Sequence, residues 1–144
     1  MNNAEIKNIY LGPVKREISR LISMEDRERF SSTYGCFDRT HWGWKFTDFP
    51  GARYQEAVCA LAFLYKQPFL VDSFKGNEKI LNWAKAGFEY WRNLQNPDGS
   101  FDEAYPGERS LAAVAFTCFY LGEAYLMLSE DLTKSDKTPL QNTF

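Results

Sequence analysis

One short stretch of the chain combines side chains suited to recognising a charged, ring-shaped ligand. It contains Asp38, Arg39, His41, Trp42 and Trp44. Aromatic side chains present flat apolar faces, an arginine can bind a carboxylate through two N–H groups, and a histidine can exchange a proton near neutral pH. We therefore predict His41 as a catalytic acid or base and the other four as ligand contacts. The alternative is structural: the indoles plug the base of the fold, Asp38 caps a turn, and His41 packs through a hydrogen bond.

A second group of polar side chains lies in the irregular segment after residue 101. Tyr105, Glu108 and Arg109 are candidate catalytic residues, and Asp102 is a candidate ligand contact. Because the segment directly precedes a predicted helix, its side chains should all reach the same end of the molecule. The alternative is a surface loop in which the carboxylate of Glu108 favours the positive end of the helix dipole.

Two further charged residues are candidates because of their positions in predicted helices. Arg53 opens the helix predicted over residues 53–67. A helix N-terminus attracts anions, so we predict Arg53 as a ligand contact, the alternative being an ordinary helix start. Glu123 lies alone in an apolar segment, where an unpaired buried charge is costly. Glu123 should therefore be paired, protonated or open to a wet cavity.

Composition and charge exclude several classes of protein. The 144 residues fit one domain, and 44% hydrophobic with 25% charged residues predict a folded chain. A net charge of −2 provides no basic field for nucleic acid, and no uninterrupted apolar run reaches membrane-spanning length. The three cysteines and single histidine form no metal-ligand pattern, and no secretory signal is visible. We predict a cytoplasmic protein without cofactor, metal, nucleic-acid or membrane partner.

The spacing of apolar residues predicts helices and no strands. The expected helices cover residues 14–23, 53–67, 77–95 and 110–128. An aromatic loop over residues 31–52 and a turn over residues 96–101 connect them. The fold class is therefore all-α, built from antiparallel helical hairpins in a domain over residues 1–129. The tail over residues 130–144 loses the helical period and is expected to be frayed or disordered.

The predicted helices differ in how much polar surface they carry. Residues 57–65 and 110–128 are almost entirely apolar, whereas residues 77–95 carry one continuous polar stripe. A helix that is apolar on all sides should be enclosed. Three or four helices cannot surround two such helices. The chain should therefore form a homo-oligomer through these faces or be part of a longer array in which inner and outer helices alternate.

Two motifs resemble those of α/α-toroid proteins. The turn QNPDGSF, from Gln95 to Phe101, is similar to the glutamine–glycine–aromatic turn of terpenoid cyclases and of the toroid domains of polysaccharide lyases. The segment CFDRTHWGWKF, residues 36–46, with the DFP that follows, is similar to the N-terminal toroid segment of heparinase II/III-like proteins associated with bacterial polysaccharides. The resemblance implies a partial α/α-toroid whose cavity holds a glycan.

The resemblance also implies roles for individual residues and ranks three functions. Such lyases pair a tyrosine with a histidine or an arginine to neutralise a uronate and remove its C5 proton, a role open to Tyr105 and Arg109. The leading hypothesis is an acidic-polysaccharide-binding or lyase-like region of a larger helical array, with a glycan or other small molecule as partner. Whether it is an enzyme stays open, because lyase chemistry also needs later helices and a β-rich domain. The alternatives are a non-catalytic helical interaction or oligomerisation module and, third, a terpenoid cyclase-like protein, for which an Asp-rich motif is lacking.

Overall fold

The computed structural model of the chain describes residues 3–68 and 72–144. All regular structure in this part of the chain is helical, which confirms the all-α prediction. The helices are α1 (Asn3–Ser23), α2 (Arg39–Trp42), α3 (Ala57–Lys66), α4 (Glu78–Asn93), α5 (Leu111–Leu128) and α6 (Lys134–Thr143). Short 3-10 turns over Ala52–Glu56 and Asp72–Phe74 precede α3 and α4.

Local sequence signals set several of these boundaries. The side chain of Asn77 accepts a hydrogen bond from the backbone N–H of Lys79 and begins α4. The hydroxyl of Ser110 accepts one from Ala113 and begins α5. Between these helices, Gly99 adopts a φ of 86° and donates its N–H to the carbonyl of Asn96, which forms the predicted turn.

The central helix of the fold is α3. It packs against both α4 and α5, and α6 packs against α4. The residues of α3 that lie in the core are Val58, Leu61, Ala62 and Leu64. Four of the ten residues of α3 are thus buried, whereas Phe63 is exposed, so the helix is enclosed only in part.

The polar stripe predicted for residues 77–95 corresponds to the outer side of α4. Glu78 and Glu89 are exposed, whereas Phe88 and Trp91 are buried. The ring of Trp91 stacks on Phe101 with 5.0 Å between ring centroids. The aromatic residue of the QNPDGSF turn thus anchors the turn to the core side of α4.

The single chain covers only part of the surface of α5, as expected if three or four helices cannot surround two apolar ones. One side of α5 packs on α3, but Leu111, Phe119 and Leu126 expose 81%, 62% and 65% of their surface. Glu123 is also exposed, so it needs no buried partner. The sequence could not reveal which side of α5 is covered, because the apolarity around this helix is nearly uniform.

Both ends of the described chain contain more helix than the sequence predicted. α1 begins at Asn3 instead of residue 14 and includes Pro13 within it. The tail expected to be frayed contains α6, whose first turn is closed by reciprocal hydrogen bonds between Thr133 and Asp136. Asp136 also pairs with Lys85 of α4 at 2.9 Å, so α6 is fixed to the fold.

Candidate functional site

The buried carboxylate of Asp38 organises the aromatic loop. One oxygen accepts hydrogen bonds from the backbone N–H groups of Thr40 and His41, and the other accepts from Gly51 at 3.0 Å. The first pair caps α2, and the third bond joins the two ends of the loop. The geometry therefore supports the structural alternative for Asp38, because its oxygens are directed at the backbone.

Two further predicted ligand contacts hold α2 against the end of α1. The Arg39 guanidinium donates through Nη1 to the carbonyl of Ser23 at 2.9 Å. The indole N–H of Trp42 donates to the carbonyl of Met24 at 2.8 Å. Both side chains remain half-buried, so each combines an anchored end with an accessible part.

Beyond α2, the chain presents two aromatic rings to solvent. Trp44 is 55% exposed and Phe46 is 78% exposed, with 5.9 Å between their ring centroids. The residue between them, Lys45, adopts a φ of 58°, which is uncommon for a residue with a Cβ. The Arg39 guanidinium lies 5.6 Å from the Trp44 ring. We call Arg39, Trp44, Lys45 and Phe46 the aromatic–cation surface.

The imidazole of His41, on α2, contacts the backbone. Its Nδ1 is 3.0 Å from the carbonyl oxygen of Thr47, so a neutral ring donates from Nδ1 and leaves Nε2 as acceptor. Within the described residues, no second titratable side chain forms a hydrogen bond with the imidazole of His41. The predicted acid or base thus lacks a proton-transfer partner in this arrangement.

The carboxylates of the second loop are also directed at the backbone. Asp102 accepts hydrogen bonds from the N–H groups of Arg109 at 2.9 Å and Gly107 at 2.7 Å. The bond from Arg109 is the main cause that lowers the pKa of the Asp102 carboxyl below its ordinary value. Glu108 accepts from the N–H groups of Glu103 and Ala104. These two acidic residues shape the loop.

Arg109 and Tyr105 lie on the outside of the same loop. The Arg109 guanidinium is 3.1 Å from a carboxylate oxygen of Asp98, and its backbone has a φ of 53°. Tyr105 is exposed. Within residues 3–68 and 72–144, no hydrogen bond or ion pair joins His41 to Tyr105, Glu108 or Arg109. The four predicted catalytic residues therefore do not form one cluster.

Arg53 lies beside the second loop, at the start of the turn that leads into α3. Its guanidinium pairs with Glu56 and, at 3.3 Å, with Glu103. It also lies 4.3 Å from the ring of Phe116 on α5. A cleft of about 440 Å³ adjoins these groups. Arg53 is thus neutralised by two carboxylates, which weakens it as an anion site.

The two loops meet at the start of the turn that leads into α3. The backbone N–H of Ala52 donates to the carbonyl of Asp102 at 3.0 Å. Arg53, one residue further on, reaches across to Glu103. This edge of the molecule carries both groups of candidate residues, although their functional side chains are not in contact.

Three residues in or next to the aromatic loop were not predicted from the sequence to matter for the site. Lys45 supplies both the bend and a second cation, and only its place between two aromatic residues hinted at this. Gln55 is buried, accepts from the N–H of Phe37 and donates to the carbonyls of Gly35 and Gly87. It fixes the aromatic loop to α4.

The third missed residue is Glu25. It is buried, and neither carboxylate oxygen has a hydrogen-bond partner. Burial raises the pKa of this carboxyl to about 8, against a smaller opposing effect of Arg27. No sequence signal identified Glu25, because the charged segment around it is typical of a solvated linker.

Comparisons with known proteins gave no match: no family model, curated protein or solved structure is similar to this chain. Within the described residues, no group of three potential ligand side chains could hold a metal ion. The toroid resemblance therefore stays a prediction that rests on the two sequence motifs.

By length and composition, α5 is apolar enough to cross a membrane, and 28% of that segment is buried within the fold. The sequence predicted no such segment, because Thr117 and Glu123 interrupt the apolar run. A core helix of a water-soluble protein meets the same criteria, so this finding does not assign the chain to a membrane.

Proposed function

We propose that this chain binds acidic polysaccharide through the aromatic–cation surface, as a non-catalytic contact region of a toroid-type helical array. One observation carries the proposal: Trp44 and Phe46 are exposed next to the Arg39 guanidinium, on a loop held by the buried carboxylate of Asp38. Aromatic faces with an adjacent cation match the two surfaces of a uronic acid, its apolar C–H face and its carboxylate.

The rigidity of the loop supports binding. Asp38 and Gln55 connect the loop backbone to itself and to α4, so little conformational freedom remains to be lost when a ligand binds. The Arg39 guanidinium uses Nη1 for the Ser23 carbonyl, and its other terminal nitrogen can donate to a carboxylate. Lys45, which is exposed, adds a second positive charge.

The contacts of the candidate catalytic residues favour binding over catalysis. The Glu108 carboxylate accepts two backbone hydrogen bonds, Arg109 pairs with Asp98, and the Nδ1 of His41 contacts a carbonyl. A lyase needs a base and a carboxylate-neutralising group at one sugar ring. We therefore propose no reaction for these residues.

Isothermal titration of the folded chain with uronate oligosaccharides tests this proposal. We expect Trp44→Ala to weaken binding about tenfold or more, equivalent to about 1.4 kcal/mol, because the stacking face is lost. Phe46→Ala should act in the same direction, and added salt should weaken binding through the arginine and lysine charges.

Phe30→Ala is the matched control, since Phe30 is an exposed aromatic residue outside this surface. Neutral oligosaccharides of equal length should bind more weakly than uronates. Undiminished binding by the Trp44→Ala variant, or no uronate binding by folded wild-type protein, would refute the proposal.

A second candidate function, a helical interaction module, is favoured by the exposed apolar side of α5. This function does not compete with glycan binding, because the two surfaces involve different side chains.

A further inference from the structure

The backbone at the end of α1 anchors two side chains of the candidate binding region. The carbonyl of Ser23 accepts a hydrogen bond from the Arg39 guanidinium at 2.9 Å, and the carbonyl of Met24 accepts one from the Trp42 indole at 2.8 Å. Arg39 belongs to the aromatic–cation surface, where its guanidinium also lies 5.6 Å from the ring of Trp44. The position of this surface therefore depends on the backbone of residues 23 and 24.

A second backbone anchor lies two residues further along the chain. Asp26 donates its N–H to the carbonyl of Cys36 and accepts a hydrogen bond from the N–H of Gly35, both at 2.8 Å. This reciprocal pair attaches the segment to the start of the aromatic loop. Residue 25 thus lies between two sets of hydrogen bonds that join the loop to the end of α1.

The residue at this position, Glu25, carries a carboxyl group into the interior. Its exposed fraction is 1%, and within the described residues neither carboxylate oxygen has a hydrogen-bond partner. A buried carboxyl without donors is tolerated when it is neutral, whereas its ionised form is costly. Burial accordingly raises the pKa of Glu25 to about 8.

Two charged side chains act on the Glu25 carboxyl, and both belong to the same segment. Arg27 favours the ionised form and Asp26 opposes it, but burial has a larger effect than either. The Arg27 side chain is exposed, and its guanidinium lies 4.9 Å from the ring of Trp83 on α4. Within the described residues, no charged group of another element adds to these effects. Arg27 therefore offsets only part of the cost of ionising Glu25.

The other buried titratable groups near this segment keep one charge state around pH 8. Burial raises the pKa of the Asp26 carboxyl, but hydrogen bonds from neighbouring hydroxyl and backbone groups outweigh this effect and lower the pKa overall. Burial raises the pKa of the Cys36 thiol to about 11, and it also raises the pKa of the Tyr90 hydroxyl. A change of charge near pH 8 in this part of the fold therefore belongs to Glu25.

We propose that Glu25 is a proton-dependent positioning residue, whose neutral carboxyl keeps the aromatic–cation surface in place and whose ionisation releases it. An ionised carboxylate needs water or N–H donors, and the buried Glu25 reaches them when the segment over residues 23–26 shifts. That shift breaks the hydrogen bonds from Arg39 and Trp42.

The direction of the pH dependence follows from the charge states. Glu25 is neutral at a pH below its pKa in the fold and ionised above it, so the aromatic–cation surface is ordered in acidic and neutral solution and loosened above about pH 8. As a control of glycan binding, this inference rests on the proposed function. The conformational change itself does not depend on a ligand.

Fluorine nuclear magnetic resonance of the protein labelled with 5-fluorotryptophan tests the conformational change. We expect the Trp42 signal to titrate with a midpoint near pH 8, because its indole leaves the Met24 carbonyl. The signal of Trp91, which is buried against Phe101, should stay constant. This titration needs no substitution, and a wild-type Trp42 signal that does not change between about pH 6 and pH 9 would overturn the proposal.

Substitutions identify the group that titrates. Glu25→Gln keeps the size of the side chain and removes its charge, so the Trp42 signal should no longer depend on pH, and Glu25→Met should act in the same way. Glu28→Gln, a matched change at an exposed position of the same segment, should keep the wild-type midpoint. His41→Gln should keep it too. A titration that persists in Glu25→Gln, or one that disappears in His41→Gln, would overturn the proposal.

Uronate affinity at about pH 6 and pH 9 tests the consequence for binding. We expect the wild-type protein to bind about tenfold more weakly at pH 9, because about a tenth of the molecules keep Glu25 neutral one unit above its pKa. Glu25→Gln should bind equally well at both values. Equal wild-type affinities would overturn this inference and leave the proposed function standing. No uronate binding at either pH would refute the proposed function, and the fluorine titration would then decide the inference.

Discussion

At the scale of single residues, most predicted ligand or catalytic groups serve the loops that carry them. Asp38, Asp102 and Glu108 direct their carboxylates at backbone N–H groups. In the sequence, these are simply three separate acidic residues. An acid that caps a turn and an acid that binds a ligand have the same composition. Only the direction of the side chain distinguishes them, and spacing in a loop does not encode that direction.

Glu25 makes the stability of the fold depend on pH. The pKa of its carboxyl is about 8 in the fold and 4.5 in the unfolded chain, because burial disfavours the charged form. Between these values the unfolded state binds fewer protons, so this group stabilises the fold fully below about pH 4.5 and progressively less up to about pH 8.

We therefore compare the free energy of unfolding of Glu25→Gln with that of wild type. The difference should shift in favour of the variant by about 2 to 4 kcal/mol between pH 5 and pH 8. Urea unfolding at the two pH values measures the difference. Glu130→Gln, a change at an exposed position, should show no such trend. A constant difference between Glu25→Gln and wild type would show that Glu25 is charged in the fold.

At the scale of elements, the aromatic loop is built onto the backbone of α4. Gly35 adopts a φ of 87°, and a Cβ there would lie 2.2 Å from the carbonyl oxygen of Ala86. Gln55 bonds to the carbonyls of both Gly35 and Gly87. The loop therefore depends on a close approach that no side chain larger than hydrogen permits.

Gly35→Ala should destabilise the protein by about 3 kcal/mol or more, through a left-handed backbone and a clash with α4. Gly107→Ala is the matched control, because Gly107 has a φ of 78° with open space around its Cβ position. It should cost only about 1 kcal/mol. Thermal or urea unfolding compares the two, and equal losses would contradict the docking of the loop on α4.

The elements show which sequence signals are reliable. Asn77 and Ser110 begin helices as predicted, since a cap needs only the residue and its neighbours. The covered side of α5 could not be predicted, because it depends on which distant elements pack against the helix. α6 was missed because its capping box is followed by a weakly apolar segment, and its attachment depends on Lys85, far away in the sequence.

At the scale of the whole molecule, two exposed surfaces of the described residues differ in chemistry. The aromatic–cation surface lies on the loop that follows α1, and the exposed side of α5, with Leu111, Phe119 and Leu126, lies on a helix packed against α3. The first combines aromatic rings with positive charge, and the second is apolar with one carboxylate. We therefore propose separate roles, a polar ligand for the first surface and a helical partner for the second.

Nuclear magnetic resonance of the tryptophan indole N–H groups tests the central claim most directly. Of the four tryptophans, Trp44 lies on the proposed binding surface, whereas Trp91 is buried against Phe101 and Trp83 contacts Arg27. On addition of a uronate oligosaccharide, we predict a large shift of the Trp44 signal, a smaller shift for Trp42, and none for Trp83 or Trp91. A saturable shift of Trp83 or Trp91 with Trp44 unmoved, or no shift at all, would contradict the account.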